Sequence, residues 1–136
     1  MAVHIDITYE GDLRCAAVHG PSGDRLVTDA PVDNEGQGRH FSPTDLVAAS
    51  LGSCILTILG IAARKRGYAL EGAQVSVDKH MAEQPRRHIS ALTLKFTLPA
   101  ALNERARTLL EALAETCPVA ASLGPDTEVD LQFEYL

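Results

Sequence analysis

The hydrophobic positions of this chain follow two repeats. Over residues 3–9, Val3, Ile5, Ile7 and Tyr9 alternate with His4, Asp6 and Thr8, the two-residue period of a half-buried strand. Turn residues at 10–12 and 20–24 set off two more strand-like runs, 13–19 and 25–29, so the N-terminal part predicts a meander. A polar loop over 33–38 then delivers the chain to Phe41, placed to staple back onto a following helix. Further on, runs 73–80 and 88–98 predict a hairpin joined by residues 81–87, with Leu92, Leu94, Phe96 and Leu98 in clear alternation. After Pro99 the period lengthens. Leu102, Ala106, Leu109, Leu110, Leu113 and Ala114 recur at helical spacing, opposite Glu104, Arg105, Arg107, Glu111 and Glu115, which predicts a half-exposed helix. Pro118 and Gly124 bracket a short helix, and residues 128–135 predict a last strand.

One stretch follows neither repeat. From Leu46 to Ala63 the chain carries no charge, and Leu46, Val47, Leu51, Ile55, Leu56, Ile58, Leu59 and Ile61 spread around the whole circumference of a helix. Its ends are written in its chemistry. Ser42 is an N-cap, Pro43 sits where no N–H is needed, and Asp45 at the third position meets the positive end of the helix dipole. Arg64, Lys65 and Arg66 face the negative end, and Gly67 suits a left-handed C′ position. A helix apolar all round needs cover on nearly every side. Length and the basic flank match a membrane span, but Ser50, Gly52, Ser53, Thr57 and Gly60 interrupt the run, and strands that themselves need cover surround it. Protein is the expected cover and no membrane association is expected. The elements together predict an α+β fold in a single domain over residues 1–136.

Charge narrows the partners. A net charge of −6 gives no general attraction to nucleic acid or anionic lipid. No basic N-terminus leads into an apolar stretch, and three cysteines make a poor disulfide framework. Both predict a reducing cytoplasm.

Chemistry is concentrated in the cysteines. Cys117 falls at the N-cap of the short helix, where a thiolate is favoured. Cys54 lies deep in the apolar helix, where burial raises a thiol's pKa unless a cation reaches it. The plain alternative is that all three cysteines are small buried hydrophobes. His4, His19, His40, His80 and His88 are scattered without ligand spacing, so no metal site is expected, and no nucleophile elbow or phosphate loop appears. Neither a cofactor nor a nucleotide is implied.

Two segments carry a family resemblance. Ser42-Pro43-Thr44-Asp45-Leu46 running into Ala48-Ala49-Ser50-Leu51-Gly52-Ser53-Cys54, followed by Thr116-Cys117-Pro118-Val119, resembles the OsmC/Ohr family, and the order of elements agrees over the whole chain. The resemblance implies an intertwined homodimer, with a β-meander, a buried central helix, a hairpin, a second helix and a final strand in each chain. It also implies a thiol peroxidase for organic hydroperoxides, with Cys54 peroxidatic, Cys117 resolving, and a dithiol reductant, either a lipoylated protein or a small thiol. The family uses an arginine from the N-terminal meander, which Arg14 matches best and Arg39 next. A glutamate after the proline holds that arginine; here Thr44 occupies its place and Asp45 is the nearest carboxylate. Cys15 matches neither thiol and is assigned to strand packing. The alternative reading keeps the dimer and the thiols but binds a small apolar ligand or acts as a redox-responsive switch.

Overall fold

The computed structural model describes residues 1–136. The chain divides into two compact units, Met1–Leu46 and Val47–Leu136.

In the first unit, β1 (Ile5–Gly11), β2 (Arg14–His19) and β3 (Arg25–Asp29) form an antiparallel sheet in chain order. This is the predicted meander, with one turn displaced. The β1–β2 turn centres on Asp12 and Leu13, at φ 56° and 62°, rather than on residues 10–12. Two left-handed residues match the twist of a tight hairpin, but a leucine with positive φ is strained. It is held there by its N–H donating to the Tyr9 hydroxyl at 3.3 Å and its carbonyl accepting from Ala30 N–H at 3.2 Å. The face expected to be half-buried is open: Val3, Ile5, Ile7 and Tyr9 are each more than half exposed.

The helix α1 (Pro43–Arg66) starts as its sequence predicts. Ser42 Oγ accepts from Asp45 N–H at 3.1 Å, while Asp45 Oδ2 accepts from Ser42 N–H at 2.9 Å. This reciprocal pair is a capping box with aspartate in place of the usual glutamate or glutamine. At the other end Gly67 has φ +74° and Tyr68 N–H donates to Ala63 O at 2.9 Å, closing a Schellman motif. Phe41 does not complete a buried staple; it remains 58% exposed.

The second unit is built on a sheet of order β4–β5–β6, comprising β4 (Gln74–Ala82), β5 (His88–Leu98) and β6 (Glu128–Tyr135). β4 and β5 are the predicted hairpin, whereas β6 runs parallel to β5. A parallel neighbour needs a long crossover, which α2 (Glu104–Ala114) and α3 (Pro118–Ala121) supply. Leu92, Leu94, Phe96 and Leu98 all face the core with no more than 1% exposure, and Phe133 of β6 stacks on Phe96 at 5.0 Å. Leu51, Ile55 and Leu59 of α1 join the same cluster, each fully buried, at about 2 kcal/mol of transfer free energy per side chain. Gly52 permits this approach, since a Cβ there would stand 3.0 Å from Val77 Cγ2 and 3.2 Å from Val75 Cγ1.

Cover on nearly every side is not reached within one chain. Ala49, Ser50, Ser53, Thr57 and Ile61 form an exposed stripe along α1. The hydroxyls of Ser50, Ser53 and Thr57 turn back to the carbonyls of Val47, Ser50 and Ser53 at 2.7, 3.2 and 2.8 Å. With mean hydropathy 2.2, α1 has the length and composition of a membrane span, yet its most apolar face lies on the sheet.

Helix α2 is half exposed as predicted, capped by Asn103 Oδ1 accepting from Ala106 N–H at 2.9 Å. Two residues expected on its solvent face do otherwise. Arg107 lies 4.0 Å over the Tyr135 ring and donates to the carbonyls of Leu102 and Ala100, both at 2.8 Å. The Tyr135 hydroxyl donates to Glu111 Oε2 at 2.5 Å. Burial first, and then this bond to Glu111, push the phenol's pKa above its ordinary value.

Candidate functional site

Cys54 and Cys117 meet in the second unit. Cys54 sits at the edge of the face that α1 turns to the sheet, half-buried, while Cys117 is 1% exposed between α2 and α3. Both are reduced, and the two sulfurs are within hydrogen-bonding reach of each other. The Cys54 sulfur also accepts a hydrogen bond from the backbone N–H of Val119.

The local sequence explains this convergence. Pro118 occupies the first position of α3 and begins it at Cys117, which has extended backbone (φ −64°, ψ 124°). The chain therefore turns sharply at Cys117, and the next N–H along is directed at Cys54. Val119, Ala120 and Leu123 pack against the core cluster and hold α3 in place.

Burial raises the pKa of the Cys54 thiol above its ordinary value, and its hydrogen bond to Cys117 adds to the rise. The Val119 N–H opposes both, because it favours the charged sulfur, and the Cys117 charge adds a smaller upward push. Cys54 and Cys117 thus lie side by side as a reduced dithiol pair. Such a pair can give up two electrons and close a disulfide.

The other predicted residues are placed in the first unit. Arg14 and Asp29 are cross-strand partners on β2 and β3, with Arg14 Nε 4.0 Å from Asp29 Oδ2. Arg14 also reaches the exposed Asp12 at 3.7 Å. Asp29 is 1% exposed and its Oδ2 accepts from Arg39 N–H at 3.1 Å, so it gathers both candidate arginine segments. Arg14 Nε and Asp29 Oδ1 are buried without a hydrogen-bond partner. Asp45 closes the capping box. Cys15 is half-buried within β2, paired across strands with Tyr9 and Thr28. No three His, Cys, Asp or Glu side chains converge as metal ligands.

Two groups at these sites escaped the sequence reading. Asp29 looks like an ordinary strand end, and nothing local marks it as buried. The Val119 amide carried a usable signal, since Pro118 marks the first helical position and the N–H of the second residue of any helix has no intrahelical acceptor.

The model of the OsmC-like protein family matches residues 36–132, a span that includes both cysteines. The chain belongs to the OsmC-like protein family. A crystal structure from Psychrobacter arcticus 273-4, provisionally named an osmotic stress induced and detoxification response protein, is 42% identical, with TM-score 0.90 over 96% of this chain and 94% of that one. Two other OsmC-like structures share the fold at lower identity. The organic hydroperoxide resistance protein OsmC of Legionella pneumophila is 17% identical with TM-score 0.77, over 98% of this chain and 97% of that one. An organic hydroperoxide resistance protein from Elizabethkingia anophelis is 16% identical with TM-score 0.78, over 100% of this chain and 97% of that one. No curated protein matches the sequence.

Proposed function

We propose that this OsmC-like protein reduces organic hydroperoxides to alcohols, using Cys54 as the attacking thiol and Cys117 as the resolving one. The observation that carries the reading is the reduced Cys54–Cys117 pair, hydrogen-bonded, with Cys54 the more exposed sulfur. In the reaction the Cys54 thiolate attacks the distal peroxide oxygen and the O–O bond breaks. The alkoxide leaves and takes up a proton as the alcohol, and Cys54 becomes a sulfenic acid. Cys117 then attacks the Cys54 sulfur, an S–S bond forms, and hydroxide leaves to be protonated to water. A dithiol, either a lipoylated protein or a small thiol, restores the pair by exchange.

Apolar surroundings favour a substrate with a hydrocarbon body. A groove of about 540 Å³, walled by Ile58, Ile61, Ala62, Leu109 and Leu113 and closed at one end by Lys65 and Arg66, opens one helical turn beyond Cys54 along α1. The resemblance assigns the cation that ionises Cys54 to Arg14, with Asp45 the nearest counterpart of the family's glutamate. A homodimer is the assembly we assign, supported by the open stripe on α1 and the uncovered apolar face of β1. A cytoplasmic location agrees with a pair that must be kept reduced.

One observation favours a second reading. Burial and Cys117 push the Cys54 pKa up, which suits a slow redox-responsive thiol better than a fast peroxidase. Stopped-flow loss of free thiols on adding an organic hydroperoxide separates the two. Rapid, stoichiometric disulfide formation, lost in Cys54→Ser, halted at sulfenic acid in Cys117→Ser and slowed in Arg14→Ala, supports the peroxidase. Thiol loss no faster than that of a free cysteine leaves the switch.

A further inference from the structure

The groove beyond Cys54 is asymmetric in charge. Its walls are aliphatic, and the only polar side chains lining it are those of Lys65 and Arg66 at one end. Both cations are exposed, and no carboxylate lines the groove beside them.

Helical spacing explains how an apolar wall and a charged end come to share one groove. Cys54, Ile58, Ile61 and Lys65 follow one another at steps of four, three and four residues, which puts them on one face of α1. On the other wall Leu109 and Leu113 are one turn apart on α2, and Cys117 follows just past the end of that helix. Both walls therefore run between the thiol pair and the basic end. Cys54 and Lys65 are eleven residues apart, about 16 Å along the helix axis.

A basic helix end has a plainer role, because cations there meet the negative end of the dipole. Arg64 separates the two roles. It stands at the same end of α1 but lines a neighbouring groove, which Glu71 also lines. Lys65 and Arg66 have only aliphatic neighbours in theirs. The whole chain carries a net charge of −6, so its general field does not attract anions and these two local charges must do so.

We propose that this groove binds a long-chain carboxylate, with the head held by Lys65 and Arg66 and the hydrocarbon tail lying between α1 and α2 toward Cys54. A slot that is apolar along its walls and cationic at one end complements a molecule that is apolar along its length and anionic at one end. Its volume of about 540 Å³ falls within the range of small-molecule sites. Covering Ile58, Leu109 and Leu113 supplies most of the affinity. The cations are exposed, so each adds a modest increment and fixes the direction of the ligand. The site is independent of the peroxidase reading, since it is filled whether or not Cys54 reduces a hydroperoxide.

Isothermal titration calorimetry of the full chain, kept reduced, with decanoate and with decanol tests the site. Decanoate is expected to bind about tenfold more tightly than decanol. The double variant Lys65→Gln with Arg66→Gln should lose that preference while binding decanol as before. Arg64→Gln should keep it, and Leu109→Ala should weaken both ligands. Bound decanoate should also slow alkylation of Cys54 by iodoacetamide, followed by mass spectrometry, and leave Cys15 unchanged.

No binding of decanoate overturns the proposal; sedimentation then shows whether a second copy of the chain covers this face instead. Equal affinity for acid and alcohol reduces the groove to an apolar surface and overturns it too. An Arg64→Gln variant as damaged as the double variant assigns the effect to the general field of the helix end and has the same result. Adsorption to phosphatidylglycerol vesicles without binding of dissolved decanoate makes the face a membrane contact and ends the proposal. A Cys54 rate indifferent to decanoate refutes the placement of the tail. Hydroperoxide consumption is measured separately on the wild type. Selective decanoate binding without consumption keeps the site and removes the peroxidase, and consumption without decanoate binding does the reverse.

Discussion

Gly52 and Gly60 offer the same chemical change, glycine to alanine, in the interior of the same helix with different surroundings. At Gly60 an added Cβ meets nothing within 4 Å; at Gly52 it meets Val77 Cγ2 at 3.0 Å and Val75 Cγ1 at 3.2 Å. Alanine favours the helix over glycine by about 1 kcal/mol at either position. For Gly60→Ala nothing within the chain opposes that gain, so stabilisation of about 0.5–1 kcal/mol is expected. At Gly52 the two valines are stiff at χ1 and sit on β4, and overpacking of this kind costs about 1–3 kcal/mol. The net effect of Gly52→Ala is then a loss of up to about 2 kcal/mol. For a chain of 136 residues, each kcal/mol moves Tm by about 3–4 °C. Scanning calorimetry under reducing conditions should show Gly60→Ala rising by about 2–4 °C and Gly52→Ala falling by up to about 7 °C. Cys54 lies two residues beyond Gly52, so pushing α1 off β4 should also slow its alkylation, and Gly60→Ala should not. An equal rise in both variants would refute the close seating of α1 on β4. A fall for Gly60→Ala would show another chain lying against that position.

Three further expectations follow from the geometry. Leu13→Gly should raise stability by about 1 kcal/mol in urea titrations, because glycine holds the left-handed conformation without strain; no gain would mean the turn relaxes in solution. Tyr135→Phe should cost about 1 kcal/mol by losing the bond to Glu111. The folded phenol has a raised pKa, so the unfolded chain loses its proton first as pH rises. Wild-type stability should therefore be complete below the ordinary phenol range and decline above it, and a pH-independent Tm for the wild type beyond that range would contradict the contact. Cys117→Ala removes both upward influences of that residue on Cys54, leaving burial above and the Val119 N–H below. Cys54 alkylation in the wild type should climb with pH beyond the ordinary thiol range, and in Cys117→Ala the profile should move to lower pH. An unmoved profile would mean the sulfurs are apart in solution.

Much of the architecture could be read from local chemistry. The caps of α1 were legible because Ser42, Pro43, Asp45 and Gly67 each act on backbone groups a few residues away. β5 was legible because Leu92, Leu94, Phe96 and Leu98 alternate against a single buried face. The partner of β6 was not, since strand alternation records which face is buried and not which neighbour it pairs with. Nor was the exposed stripe on α1. An all-round apolar helix shows that cover is needed and leaves open whether this chain supplies it. At the site, Cys54 and Cys117 were singled out by motif, but their contact depends on how α3 folds back, which no spacing encodes. Arg107 and Glu111 illustrate the same limit: charges at solvent-facing helical positions were drawn to Tyr135 by a strand that comes after them.

The parallel pairing of β6 with β5 fixes the order in which a growing polypeptide can become competent. α1, with Cys54, is synthesised well before the segment that brings Cys117 and Val119 to it. Until β6 has followed them, β5 has only β4 beside it and leaves one edge unpaired. A nascent or prematurely terminated chain thus carries a lone thiol on α1 and an open, leucine-rich strand edge together. Both are hazards, one to stray oxidation and the other to aggregation. Translation to the end of β6 pairs that edge and completes the thiol pair, so truncated products should be found in inclusion bodies or mixed disulfides rather than as soluble protein.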